Sequence, residues 1–136
     1  MLLTSNMKGQ LAVSKAELRG FELGFIPSRP LYDSRYDLIL DNHKELIRVQ
    51  VKYGDGKSSN SQGAIVVKLD YENRSKQHFE YSKNEVDVLV VYLPKIDKLC
   101  YFPLKIFEGK RKLTIRIQEP KINQTKGIIF AKDYYW

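Results

Sequence analysis

Asp37, Gln50 and Lys52 bring together a carboxylate, an amide oxygen and an ammonium group. Tyr36 to Leu40 reads as a strand, Asp41 to Lys44 as a turn, and Glu45 to Tyr53 as the returning strand of a hairpin. From Ile47 the second strand alternates strictly. Ile47, Val49 and Val51 point one way, while Arg48, Gln50 and Lys52 point the other. Hairpin pairing then sets Asp37 beside Gln50 and Lys52. An Asp and a strand carbonyl such as that of Val51 are oxygen donors of the kind a magnesium ion prefers. Lys52 could orient or deprotonate an attacking water, or neutralise charge on a phosphorane. The chemistry this outlines is metal-assisted phosphodiester hydrolysis.

A periodic segment from Met7 to Leu23 precedes the hairpin and has helical spacing, with Leu11, Ser14, Leu18 and Phe21 on its stripe. Gly24 reads as its left-handed stop, Pro27 and Pro30 forbid continuation, and Gly20 weakens its last turn by about 1 kcal/mol relative to Ala. Beyond the hairpin lie a polar loop from Gly54 to Gly63 and a strand from Ala64 to Leu69, followed by a second polar loop from Asp70 to Gln77. Val86 to Leu93 is almost wholly apolar, as in a central strand covered on both faces. Leu99 to Pro103 and Leu113 to Ile117 are further strands. The fold class is α/β or α+β, with an N-terminal helix followed by a central mixed sheet flanked by helices.

The 136 residues suit one domain, with residues 1–7 as a flexible N-terminus and 105–136 as a basic part for DNA or oligomer contact. A single Cys100 forbids an internal disulfide and a Cys-rich zinc site. It reads as buried filler. His43 and His78 are too few for a His-based metal centre, which leaves hard oxygen ligands. No apolar run approaches the roughly 20 residues of a membrane span, and the start lacks a secretory h-region, so a cytoplasmic protein is expected. The net charge of +7 suggests a polyanionic partner. Seven Lys and Arg against two Glu place +5 of it between Lys105 and Lys126.

Arg35-Tyr36-Asp37, twelve intervening residues, and Gln50-Val51-Lys52 resemble the pattern of the PD-(D/E)XK nucleases, Asp-X(n)-(Asp/Glu)-X-Lys. Lys8-Gly9 near the helix start, the break at Gly24-Phe25 and the strand from Glu85 to Tyr92 fit the same family. The tail Arg116 to Gln124 and Ala131 to Tyr134 is similar to a bacterial branch containing homing endonucleases of cyanobacterial group I introns, which use Gln where others have Asp or Glu. The resemblance spans about Lys8 to Tyr135. It implies a restriction-endonuclease-like core and a magnesium-dependent double-stranded DNA endonuclease. Asp37 and the Val51 carbonyl would bind metal, Gln50 would bind or position it, and Lys52 would activate water. Where the family carries a helix Glu this chain has Val13. Glu17, four residues on, lies on the same helix face and could supply the carboxylate from a different height.

For DNA contact the candidates are Lys8 and Arg35, the groups Lys57, Ser58, Asn60, Gln62 and Arg74, Lys76, Gln77 around the strand from Ala64, and the basic Lys110, Arg111, Lys112, Lys121, with Asn123 and Gln124 beside them. The basic set would track phosphates, and the groups flanking the strand would read bases as part of a ribbon. Cutting both strands needs two active sites, so a homo-oligomer, dimer or tetramer, is expected. A junction-resolving or restriction-type nuclease, and a DNA-binding module without cleavage, are the rival readings.

Overall fold

A computed structural model describes residues 2–58, 61–69, 71–72, 78–79, 85–119 and 127–136. The chain opens with α1 (Ser5–Glu22), capped by Thr4, whose Oγ1 accepts the Met7 N–H at 3.2 Å. That cap starts the helix two residues before the apolar periodicity does, so residues 5–7 form its first turn rather than a flexible extension. Gly24, at φ +85°, ends it as expected, and the Phe25 N–H returns to the Gly20 carbonyl. Gly20, read from sequence as a weak point, is where the helix meets the sheet. A Cβ there would lie 3.0 Å from Leu40 Cδ2.

The strands are β1 (Ile26–Ser28), β2 (Leu38–Asp41), β3 (Leu46–Tyr53), β4 (Lys57–Ser58), β5 (Ser61–Lys68), β6 (Tyr71–Glu72), β7 (His78–Phe79), β8 (Val88–Leu93), β9 (Lys98–Pro103), β10 (Lys112–Arg116) and β11 (Ile129–Phe130). A one-turn helix, α2 (Leu104–Phe107), follows β9. The main sheet has the order β1-β2-β3-β8-β9 and is antiparallel except for the parallel β3–β8 pair. A second sheet, β11-β10-β5-β4, is also mixed, and β6 and β7 form a ribbon.

Alternation sorts the main sheet into two cores. Leu38, Leu40, Val49, Val51, Val88 and Val90 pack with Ala12, Val13 and Ala16 of α1. On the opposite face Leu89, Val91 and Phe102 pack with Ile65, Val67, Leu113 and Ile115 of the second sheet and with Phe107 of α2. A helix therefore stands on each face, but a sheet supplies much of the second cover. β8 is buried at every residue, because apolar layers press on both its sides. The C-terminal aromatics close the far edge: Tyr134 stacks on Phe102 at 4.8 Å and Trp136 on Tyr101 at 5.4 Å. Cys100 is buried filler, its thiol pushed up to about 12 by desolvation.

Between β3 and β5 the chain turns back through Gly56, whose carbonyl accepts the Val66 N–H at 3.0 Å. A Cβ at Gly56 would collide with the Val66 carbonyl oxygen, whereas a Cβ at Gly9 on α1 meets nothing within 4 Å. Thermal melts should accordingly separate the two. Gly56→Ala is expected to cost about 1–3 kcal/mol, while Gly9→Ala should gain about 0.5–1 kcal/mol. Equal melting temperatures for the two variants would refute the close approach at Gly56.

Candidate active site

The β2–β3 register puts Leu38 opposite Val49, so Asp37, one residue before β2, stands opposite Gln50. Asp37 donates its backbone N–H to the Val49 carbonyl at 2.9 Å, the last main-chain bond of this ladder edge. Two residues on, opposite the segment ahead of β2, the Val51 N–H donates to Asp37 Oδ2 at 2.9 Å. The acid is thus tied to the strand that carries Gln50 and Lys52. Because Val49 and Val51 face α1, alternation turns Gln50 and Lys52 of β3 to the other side, while Asp37, just ahead of β2, also borders Gln10 and Val13 of α1.

Gln50, 8% exposed, is the buried polar side chain among the described residues, while Asp37 and Lys52 are half-buried. Such burial of a glutamine is unusual on a sheet whose polar stripe merely meets water. Burial pushes the Asp37 carboxyl above its ordinary value, and the Val51 N–H, the Lys52 ammonium and the Arg29 guanidinium pull it back without cancelling the desolvation. Arg48, also on the polar stripe of β3, is committed elsewhere. It clasps Asp87 through Nε at 3.1 Å and Nη2 at 3.0 Å, which holds that carboxyl below its ordinary value and fixes the start of β8. The stripe therefore splits into a structural Arg48 and, farther along β3, a buried Gln50 and a Lys52 within electrostatic range of the acid.

Asp37, Gln50 and the Val51 carbonyl supply one charged and two neutral oxygens. The Val51 carbonyl leaves β3 on the same edge as its N–H, toward Asp37. Hard oxygens with a single formal charge suit a divalent ion such as magnesium that keeps several waters. Among the described residues no group of three or more His, Cys, Asp or Glu could hold a metal. Glu17 accepts from Arg29 Nε at 3.0 Å and pairs with Arg29 Nη2, both through Oε1. Val13, where the family pattern has a Glu, is buried among the apolar residues under α1.

Beside Asp37 a cleft of about 400 Å³ runs along the open sheet edge where β1 has ended, between the first half of α1 and the Arg29–Asp37 connection. Gln10, Val13, Arg29 and Asp37 line it, together with Leu31 and Tyr32, which are exposed. Sequence reading missed Arg29. Its only signal was a basic residue in the Pro-rich connection, and its pairing with residues 12 to 19 positions away leaves no periodic trace.

The proposed DNA-contact residues scatter. Lys8 pairs with Asp55 at 2.6 Å and lies over the Tyr53 ring, and Arg35 stands 3.7 Å from Glu85. Lys57 and Ser58 form β4 and Gln62 lies on β5, close to where the main-sheet strand β3 ends. Lys110, Arg111 and Lys112 are exposed at the other end of the second sheet, where Lys112 pairs with Lys68. Lys57 stands opposite Ile65 and Lys112 opposite Lys68, three residues or about 10 Å apart along β5, while Ser58, opposite Ser61, lies farther off. Asn60, Arg74, Lys76, Gln77, Lys121, Asn123 and Gln124 lie outside the described residues.

The burial of Asp37 makes its charge a cost to folding. A carboxyl whose folded pKa is raised contributes stability that is complete below its unfolded pKa and is lost as pH rises through the folded pKa. Asp37→Asn, whose amide oxygen can still accept from Val51, is therefore expected to melt higher than wild type at neutral pH. The difference should shrink as pH falls through the carboxylate range. Melting curves of the two proteins from acid to neutral pH check this, and a variant less stable at every pH would contradict it.

Among curated proteins this chain has no match. Solved structures share its fold, and two of them are nucleases. One is a bacterial homing endonuclease, I-Ssp6803I, with a TM-score of 0.80 and 23% identity over 98% of this chain and 89% of that one. The other is Hjc, a Holliday junction resolvase of the archaeal hyperthermophile Archaeoglobus fulgidus, with a TM-score of 0.53 and 14% identity over 80% of this chain and 84% of that one. The family model of the PD-(D/E)XK endonucleases matches residues 3–136. With the match running nearly end to end, the chain belongs to the PD-(D/E)XK endonuclease family.

Proposed function

We propose that this nuclease is a site-specific, magnesium-dependent homing endonuclease that cuts both strands of DNA at a long target as a homo-oligomer. The observation that carries the reading is the Val51 N–H bond to Asp37, which holds a half-buried carboxylate opposite Gln50 and beside Lys52. Asp37, Gln50 and the Val51 carbonyl would hold the cation. Magnesium, when bound, would supply Lewis-acid stabilisation of the scissile phosphate. Lys52 would orient the attacking water and counter charge developing on the phosphoryl oxygens. The similarity to I-Ssp6803I supports the homing reading over the junction-resolving one.

The β4–β5 pair, a short two-stranded ribbon, would be the element that enters the major groove. Lys110, Arg111 and Lys112 would track phosphates from the far end of the second sheet. Association of copies is supported by apolar side chains left in water. Leu18, Phe21, Ile26 and Leu46 are 49–64% exposed, and Ile26 and Leu46 share one row across β1, β2 and β3.

A second reading, a DNA-binding protein with impaired cleavage, is favoured by Val13 and by the single carboxylate of the donor set. Supercoiled plasmid carrying candidate targets, incubated with magnesium, separates the readings. Asp37→Asn and Lys52→Ala are expected to slow cutting by about 10²–10⁴-fold, and full retention of cutting by both would refute the assignment. Inert wild type together with an active Val13→Glu protein would establish the impaired reading. Cutting confined to four-way junctions would favour the resolving activity.

A further inference from the structure

We propose that Arg29 holds a backbone phosphate of the DNA strand to be cut against Asp37, and that Gln10, Ser14 and Glu17 of α1 hold the guanidinium for this task; the inference rests on the nuclease reading above. Arg29 has five N–H donors in a rigid fork. Nε donates to Glu17 at 3.0 Å, Nη1 to Gln10 at 2.6 Å, and Nη2 to Ser14 at 3.3 Å and to Glu17. Four hydrogen bonds to three side chains on successive turns of α1 fix the plane of the group, leaving one Nη1–H without a partner among the described residues.

A helix clamp alone does not require the guanidinium to line a cleft shared with the family's metal-binding acid. Arg29 lines the same cleft as Asp37, and its side chain remains 40% exposed even with four bonds made. The two groups sense each other electrostatically, which places them within interaction range across that cleft. Val13 lines the cleft too. Where the family pattern has a helix carboxylate, this chain therefore offers an incoming phosphate an apolar wall, with a fixed cation beside it. Arginine binds phosphate through directed N–H bonds and stays charged, and its fork is held here before DNA arrives. Glu17 opposes part of that attraction by charge while supplying the geometry.

The test is DNA binding in the presence of a chelator, so that neither metal nor cleavage enters, measured across a salt series. Arg29→Gln is expected to bind about tenfold more weakly and to reduce the slope of log affinity against log salt by about one for each site. Arg29→Lys should keep the wild-type slope but bind more weakly, because it retains the charge and loses the fork. Glu17→Gln should bind more tightly than wild type, since its amide oxygen can still accept from Arg29 while the opposing charge is gone. Arg29→Gln with wild-type slope and affinity would overturn the inference alone. So would weaker binding by Glu17→Gln and Arg29→Gln in proportion to lost melting temperature, the mark of a helix clamp. Wild type without DNA affinity would overturn the nuclease reading, and this inference with it.

Discussion

One hydrogen bond organises the site: the Val51 N–H donates to the Asp37 carboxylate where the β2–β3 ladder runs out. An unpaired strand N–H at a half-buried edge costs about as much as a lost hydrogen bond, and the acid satisfies it. In exchange the carboxylate is pinned to the strand whose next side chains are Gln50 and Lys52. The charge-assisted bond favours the ionised acid, as do the Lys52 and Arg29 cations, yet desolvation is the larger effect and the carboxyl remains raised. A carboxyl raised by desolvation is favoured in its charged form by any cation that joins it.

The sheet separates support from chemistry by its two faces and by position along β3. Residues facing α1 are apolar and buried, and they fix the height of the helix over the sheet through Gly20. On the opposite stripe, Arg48 locks β3 to β8 through Asp87, while Gln50 and Lys52 extend toward the open edge. Arg29 ties the connection leading to Asp37 back to α1. The acid is therefore fixed from two directions, by β3 and by the segment that precedes it. Rigid support of this kind is what a phosphoryl-transfer site needs, because misplacement by about 1 Å can cost 10²-fold in rate.

The strict alternation of β3 and the apolar run of β8 were legible because a pleated strand writes its burial into the sequence with period two. The Asp37–Gln50–Lys52 grouping followed from that period, and the family resemblance supplied its meaning. Gly20 and Arg29 were not legible. A glycine in a helix looks like a loss of propensity until the leucine of a facing strand is seen against it. An arginine in a Pro-rich connection looks solvated until a turned chain returns it to α1. The second sheet was equally hidden, since its strands pair across long separations that local periodicity does not record. The roles of the scattered basic residues were read from composition, which has no geometry.

The central claim is that residue 50 works with Asp37 on a bound cation, with a neutral amide where most of the family has an acid. The measurement that tests it most directly is the dependence of cleavage rate on magnesium concentration for wild type and Gln50→Glu. A second charged oxygen at that position should shift half-saturation to lower magnesium, because it strengthens the attraction for a hard cation. Superimposable magnesium curves, or no magnesium-dependent cutting by wild type, would contradict the account.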